Sequence, residues 1–227
     1  PAFLSAQVSV LTQHNDAYRT GWNASEKTLN VKNVNSRQFG KAFIRVVDGQ
    51  IYAQPLVVSG MNIGGGTHNV VFVATVNNTV YAFEADTAAH AEPFWQVNLT
   101  PAGLRPILYS DMTGACGGNY NNFSSFMGIV GTPVIDTATR TFYVVVRSVG
   151  SNGTGFVQYL HAIDIVTGQE RPNSPVRIAA QVNGTGDGSV GGILKFDDQK
   201  ENQRPGLLLV NGTVYIGFAS HCDWDPY

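Results

Sequence analysis

The chain has 227 residues, of which 43% are hydrophobic and 13% charged, and its formal net charge is −2. This composition is sufficient for a sizeable core in one large domain or two small ones, and the weak net charge argues against nucleic acid as a partner. No apolar run approaches the roughly 18 residues that a membrane-spanning helix needs, so no membrane partner is predicted. Twenty-five glycines, ten prolines and 11% aromatic residues are typical of strands and turns and favour an all-β fold.

The N-terminal region begins with Pro1 and carries neither an initiator Met nor a basic stretch that leads into an apolar one. A processed, secreted chain fits this start. Further on, His14, Asp16 and Arg19 crowd polar groups ahead of the first predicted strand. Two interpretations stay open: these side chains form part of a polar site, or they tie an extended segment down by hydrogen bonds.

Short β-branched and aromatic runs recur between clusters of Gly, Asn, Asp and Pro, whereas no helical periodicity extends beyond a turn or two. These runs predict eleven strands, at residues 43–47, 52–58, 70–75, 79–84, 94–97, 132–135, 141–147, 158–163, 176–179, 207–210 and 214–219.

The predicted strands repeat as units that are anchored by Pro55, Pro133 and Pro205. Four antiparallel strands repeated in this way are typical of the blades of a β-propeller, and this chain supplies about two and a half blades, less than a closed ring requires. The predicted organisation is an N-terminal segment (1–42) that could lend an outer strand to the closing blade, blade 1 (43–100), an inter-blade loop (101–130), blade 2 (131–182), a loop (183–203) and a truncated start of blade 3 (204–227). The remainder of the propeller, either a missing C-terminal half or a second chain, is the expected partner.

Two loops carry side chains suited to a ligand. Asp187 lies in a Gly-rich loop, where it could present a carboxylate to a cation or a sugar, although a plain turn explains it as well. The principal candidate site follows the third unit, where a titratable ring, two carboxylates and an aromatic platform are close in sequence. Its residues are His221, Asp223, Trp224 and Asp225.

Cys116 and Cys222 are too far apart in sequence for a C-x-x-C motif, which leaves one long-range disulfide or two buried thiols. Asn-x-Ser/Thr sequons are more frequent than chance predicts, which suits an exported glycoprotein, although Asn-Gly-Thr is also ordinary turn chemistry. The glycosylation candidates are Asn23, Asn77, Asn98, Asn122, Asn152, Asn183 and Asn211.

Residues 162–168 read AIDIVTG and resemble the A-x-D-x-x-T-G core of the tryptophan-docking repeat in pyrroloquinoline quinone (PQQ) dehydrogenase propellers, in which a following Trp packs between blades. A degenerate copy at 82–87 precedes Trp95. The chain as a whole resembles the N-terminal half of a family of exported quinoprotein-like propellers. This resemblance covers the segments 13–21, 33–41, 47–56, 66–71, 131–136, 184–188 and 202–207.

The resemblance implies a propeller fold but does not decide the activity. True PQQ dehydrogenases stack an adjacent Cys-Cys disulfide on the quinone and hold calcium with Glu, Asn and Asp, whereas Cys116 and Cys222 stand apart here and no motif matches those calcium ligands. We therefore predict a secreted, non-catalytic protein that binds a glycan or a protein through its loops and channel, with no metal site. The alternatives are a PQQ-dependent oxidoreductase acting on alcohols or sugars, and a hydrolase or lyase that uses His221 with Asp223 and Asp225.

Overall fold

The computed structural model describes residues 8–225, and its secondary structure confirms the predicted all-β class. Apart from strands, the described residues contain two short 3-10 helices, Tyr109–Asp111 and Ala115–Gly118. No helix in this range has the length and apolar character to cross a membrane.

The first sheet, which we call sheet 1, is an antiparallel meander of four strands in sequence order. Its strands are β1 (Leu56–Ile63), β2 (Gly66–Ala74), β3 (Thr79–Glu84) and β4 (Trp95–Asn98). All six residues of β3 are buried, as expected for a β-branched and aromatic strand that is covered on both faces. The register of β1 shifts between Val58 and Met61, where Gly60 supplies the positive φ that this bulge requires.

The second sheet, sheet 2, is built around one long strand. Its strands are β5 (Leu104–Pro106), β6 (Val134–Asp136), β7 (Thr141–Gly150), β8 (Val157–Asp164) and β9 (Val176–Arg177). β7 pairs with β8 on one side and with both β6 and β5 on the other, while β9 pairs with β8. β7 extends beyond its predicted end at residue 147, and this extension pairs with β5. The segment 101–130, predicted as a loop, therefore contributes an edge strand.

The remaining strands, which we call the third region, form three separate two-stranded ladders. The pairs are β10 (Gln181–Asn183) with β11 (Ile193–Lys195), β12 (Glu201–Asn202) with β15 (Ala219–Ser220), and β13 (Leu208–Val210) with β14 (Thr213–Tyr215). The predicted strand at 214–219 is wrong in its extent, because β14 ends at Tyr215 and Ala219–Ser220 pair elsewhere.

The predicted strand at 43–47 is not a strand in the structure. The segment is extended, and Phe43, Arg45 and Val47 are more buried than Ile44 and Val46. Val47 packs on the outer face of sheet 1, and the guanidinium of Arg45 donates to the Glu84 carbonyl. This apolar segment is held on sheet 1 by its side chains, and none of its residues belongs to a strand ladder among the described residues.

Sheet 2 lies between sheet 1 and the third region, so the three form successive layers. Successive side chains of β7 point to opposite faces of sheet 2 and therefore contact a different layer on each side. Val144 and Val146 belong to the core shared with sheet 1, where the rings of Phe72 and Phe142 lie 5.7 Å apart. Val145 points the other way and packs with Leu207 of the third region.

A tryptophan fixes the contact between sheets 1 and 2. The Trp95 indole nitrogen donates a hydrogen bond of 3.0 Å to the Ile165 carbonyl. A Cβ atom at Gly168 would lie 2.7 Å from the Trp95 ring. The turn after β8 therefore needs glycine both for its positive φ and for the close approach of this indole.

The N-terminal segment contacts all three layers, at β1, at β6 and at Leu207, which directly precedes β13. Val10 exchanges two main-chain hydrogen bonds with Val57, the Leu11 carbonyl accepts from the Ile135 amide, and the Thr12 hydroxyl donates to the Leu207 carbonyl. Whether residues 1–42 add an outer strand to a closing blade depends on a complete ring, so that role stays a prediction.

Candidate functional site

The ring of His221, which the sequence predicts as part of a ligand site, is buried in the structure. Its Nδ1 lies 2.9 Å from the Tyr120 hydroxyl, and its Nε2 lies 2.9 Å from a guanidinium nitrogen of Arg147. An arginine can only donate, so Nε2 accepts and the ring is the neutral tautomer with its proton on Nδ1. Burial first, and then the charge of Arg147, lower the pKa of His221 from 6.5 to about 3.

Arg147 is the largest fully buried side chain of the described residues. Its guanidinium contacts His221 and the Asn202 side-chain oxygen, but no carboxylate of residues 8–225 forms an ion pair with it. Its Nε is buried and has no hydrogen-bond partner in the same range, and desolvation lowers its pKa to about 10. At neutral pH the group therefore stays charged, and neutral His221 is the acceptor that offsets part of its desolvation.

The residues around His221 attach the 101–130 segment to the third region. Cys222 forms a disulfide with Cys116, which settles the open choice in favour of a disulfide. The Trp224 ring packs so closely on Gly114 that a Cβ there would lie 2.2 Å from it. Together with His221, the disulfide and the Trp224 ring hold the two segments together.

Asp223 and Asp225 are exposed, and their carboxylates make no hydrogen bond with His221. The structure therefore brings His221, Cys222 and Trp224 into one packed arrangement but leaves the two predicted carboxylates outside it. Both ring nitrogens of His221 are already occupied by protein partners. The group has no free nitrogen with which to accept or donate a proton to a substrate.

The N-terminal candidates are tied mainly to the protein itself. Arg19 donates to the Thr12 hydroxyl and to the carbonyls of Gln13 and Leu207, over distances of 2.5 to 2.9 Å. Asp16 accepts from the amide and the hydroxyl of Thr20, and these bonds lower its pKa. The His14 ring is exposed, while its amide donates to a neighbouring side chain. This geometry agrees with the interpretation that the cluster holds an extended segment in place.

Asp187, the remaining candidate, lines an open cleft of about 750 Å³ beside the β10–β11 hairpin. Apolar and aromatic side chains form one part of the wall, and carboxylates form another. The lining residues are Phe156, Asp187, Gly188, Val190, Ile193, Leu194, Lys195, Phe196, Asp197, Asp198, Gln199 and Glu201. This combination of an apolar wall with a few polar groups is typical of small-ligand sites.

The cleft wall is held by the strands behind it. The Arg177 guanidinium forms a bidentate ion pair with Asp198, at 2.6 and 2.7 Å. This pair fixes the position of that carboxylate and neutralises its charge. Buried Gln158 donates from its side-chain amide to the Asp198 and Glu201 carbonyls. The Phe196 ring packs edge-on against Phe218 at 4.9 Å, which gives the cleft a rigid aromatic wall.

Besides Asp187, two acidic side chains of the cleft, Asp197 and Glu201, form no ion pair within residues 8–225. Asp197 accepts from the amides of Gln199 and Lys200, and it is exposed. Burial, and then the nearby charge of Asp197, raise the pKa of Glu201. The cleft therefore presents carboxylate oxygens as hydrogen-bond acceptors beside an aromatic ring.

Sequence patterns indicate Asp187 as a candidate in its Gly-rich loop but do not indicate Phe196, Asp197 or Glu201. An available signal was the sequence of an aromatic residue followed directly by two aspartates at 196–198. That signal is weak, because the cleft exists only through the way in which the β10–β11 hairpin folds over Phe156 and residues 196–201.

The sequons differ in how their side chains are engaged. The Asn77 and Asn98 amide groups donate to the Asp48 and Asn77 carbonyls, so both are tied within sheet 1 and its cover. Asn122, Asn152 and Asn211 are exposed. Glycosylation of each stays a prediction.

The quinone chemistry implied by the resemblance does not fit the described residues. In the range 8–225, no three His, Cys, Asp or Glu side chains come together as a metal site. The disulfide joins cysteines separated by 106 positions, so it is not the adjacent-cysteine platform on which the quinone stacks. We therefore derive no step through PQQ or calcium.

Comparison with protein-family models, with curated proteins and with solved structures found no match to this chain.

Proposed function

We propose that the chain is part of a β-propeller in which sheet 1, sheet 2 and the third region are successive blades. Three features support this proposal: the face-to-face stacking of the layers, the Trp95 indole docked on the turn of the next layer, and the contact of the N-terminal segment with all three layers. The remainder of such a ring would be supplied by further blades, which are the expected partner.

We further propose that this protein is secreted and binds a glycan without catalysing a reaction. The observation that carries this proposal is the cleft beside Phe196, in which a fixed aromatic wall lies next to Asp187, Asp197 and Glu201. A sugar ring offers an apolar face to an aromatic side chain and hydroxyl donors to carboxylates. The disulfide and the excess of sequons favour an extracellular location.

The two enzymatic alternatives receive less support. An oxidoreductase would need a quinone site, which the described residues do not fit. A hydrolase or lyase built on His221 would need an accessible ring nitrogen, and both nitrogens are bonded to Tyr120 and Arg147 in a buried position.

The test is calorimetric titration of the chain with a panel of neutral oligosaccharides built from glucose, mannose, galactose and N-acetylglucosamine. We expect one of them to bind, and we expect Phe196→Ala and Asp197→Asn each to weaken that binding by about tenfold, the loss of one good contact. Asp223→Asn is the matched control, because it removes an exposed carboxylate outside the cleft. The proposal is refuted if no oligosaccharide binds, or if Phe196→Ala binds as tightly as the unaltered chain.

A further inference from the structure

The cleft beside the β10–β11 hairpin carries an excess of negative charge. Four of its lining side chains are carboxylates, namely Asp187, Asp197, Asp198 and Glu201. Lys195 is the one cation among the described residues that line it. Arg177 neutralises Asp198 from the strand behind, which leaves three carboxylates against the single ammonium group of Lys195. A neutral ligand leaves this charge unbalanced, whereas a cationic ligand offsets it.

Two of these carboxylates are held on one turn. The Glu201 amide donates to the Asp197 carbonyl at 2.9 Å, so both residues lie at the base of the turn 197–201. The side chain of Asp197 accepts from amides of the same turn, and Glu201 pairs with Ser220 in the β12–β15 ladder. Burial, and then the charge of Asp197, raise the pKa of Glu201 because the two carboxylates repel each other. A positive charge beside both of them relieves this repulsion.

The surroundings of the turn add acceptors. Gln158 is buried behind it and uses its amide nitrogen on the Asp198 and Glu201 carbonyls, while its Oε1 has no hydrogen-bond partner within the described range. Lys200 belongs to the turn, but its ammonium group donates to the Asp225 carbonyl at 2.6 Å. The cation of the turn is therefore engaged away from the carboxylates, and the site keeps a surplus of acceptors.

The spread of the carboxylates distinguishes between two kinds of cation. Ca²⁺ and Mg²⁺ need several oxygens within about 2.0 to 2.6 Å of one point, and no three acidic, Cys or His side chains of residues 8–225 come together in that way. Asp187 lies on the loop between β10 and β11, whereas Asp197 and Glu201 lie on the turn that follows β11. A larger ligand with several ammonium groups can reach carboxylates that lie apart. Each ammonium group offers three donors, compared with one for a hydroxyl.

We propose that the cleft prefers oligosaccharides of amino sugars, in which the sugar nitrogen is a free ammonium group, to neutral oligosaccharides. This inference rests on the proposed glycan binding and names the class of sugar. The ammonium groups donate to Asp187, Asp197 and Glu201, and the aromatic wall at Phe196 favours a cation as well as a sugar ring. Acetylation of the same nitrogen removes the charge and two of its three donors, so it removes this interaction and leaves the sugar ring unchanged.

The experiment is calorimetric titration of the chain, at about pH 6, with a β-linked trimer of glucosamine and with the same trimer in its fully N-acetylated form. The two ligands share a carbohydrate backbone, and the ammonium groups are mostly protonated at this pH. We expect the glucosamine trimer to bind at least about tenfold more tightly. We expect this ratio to fall as the salt concentration rises from about 0.02 M to about 0.2 M, because salt screens exposed charges.

Variants separate the charge from the aromatic contact. Glu201→Gln removes one carboxylate and retains its size, so it should lower the ratio of the two affinities by at least about threefold. Phe196→Ala should weaken the binding of both trimers. Asp223→Asn is the matched control, because it removes the same charge from an exposed position outside the cleft, and it should leave the ratio unchanged.

Three results overturn the inference: equal or tighter binding of the N-acetylated trimer, a ratio that salt leaves unchanged, or an equal fall of the ratio in Glu201→Gln and Asp223→Asn. If a neutral oligosaccharide binds, each of these results leaves the glycan proposal standing. If no oligosaccharide binds, neutral or cationic, both proposals are refuted. The two failures are therefore distinguishable.

Discussion

Acid should destabilise this protein through one buried histidine. His221 is neutral in the folded chain because its Nε2 accepts from the buried guanidinium of Arg147, and a proton there would place two cations 2.9 Å apart. In the unfolded chain the same ring takes up a proton at its ordinary pKa of 6.5, compared with about 3 when folded. The unfolded state therefore binds the proton more tightly, and stability is lost as the pH falls below 6.5.

The size of the effect follows from these two pKa values. With about 1.4 kcal/mol for each pKa unit, the free energy of unfolding should fall by about 2 kcal/mol between about pH 7.5 and pH 5, and by about 5 kcal/mol once the pH is below 3. Urea unfolding followed by tryptophan fluorescence measures the first of these differences directly. His161, whose pKa burial also lowers, adds a change of the same sign, so the comparison must be made between variants.

His221→Gln removes the titrating ring and retains a hydrogen-bonding amide, so its loss of stability between the same two pH values should be about 2 kcal/mol smaller than that of the unaltered chain. His90→Gln is the matched control, because His90 is exposed, and it should show the unaltered pH dependence. If His221→Gln and the unaltered chain lose the same free energy, His221 is not a neutral acceptor for Arg147 and the reasoning fails.

Two further predictions concern the contacts between layers. Cys222→Ser opens a loop of 106 residues, which on the chain-entropy model lowers the free energy of unfolding by up to about 5 kcal/mol. Denaturant titration with and without reductant measures this loss. If reductant leaves the stability of the unaltered chain unchanged, the prediction is contradicted. Gly168→Ala places a Cβ at 2.7 Å from the Trp95 ring and should cost about 2 to 4 kcal/mol, overpacking and left-handed strain combined. The control is Gly192→Ala, because Gly192 has a similar positive φ but no atom within 4 Å of an added Cβ. It should lose only the strain energy of about 1 kcal/mol. If the two variants lose the same free energy of unfolding, the Trp95 contact is ruled out as the cause.

Sequence patterns were sufficient for the strands that form the core. The runs at 70–75, 79–84 and 141–147 are rich in β-branched and aromatic residues on both faces, and the run at 158–163 is mainly apolar. Each lies within or almost within an observed strand. Buried strands are predictable because their composition serves both propensity and packing. The segment 43–47 has a similar composition, but it packs on a face of sheet 1 and pairs with no strand among the described residues.

The candidate site was much less predictable. His221, Cys222 and Trp224 carry groups that suggest chemistry, but their partners Tyr120, Cys116 and Gly114 are about a hundred residues away. A sequence shows which functional groups are present, whereas a tertiary contact decides whether a histidine nitrogen is free. The cleft likewise depends on how the β10–β11 hairpin, whose sequence carries no recognisable motif, folds over residues 196–201.

The N-terminal segment has a consequence for the order in which the molecule is completed. The hydrogen bond between Thr12 and Leu207 joins positions 195 apart, and Arg19 reaches the same carbonyl. Contacts of such long sequence separation close late, because the entropy of a very large loop is lost before they form. During synthesis, Thr12 and Arg19 must therefore wait until Leu207 has been added before these bonds can form. Until then the N-terminal segment cannot link the third region to sheets 1 and 2.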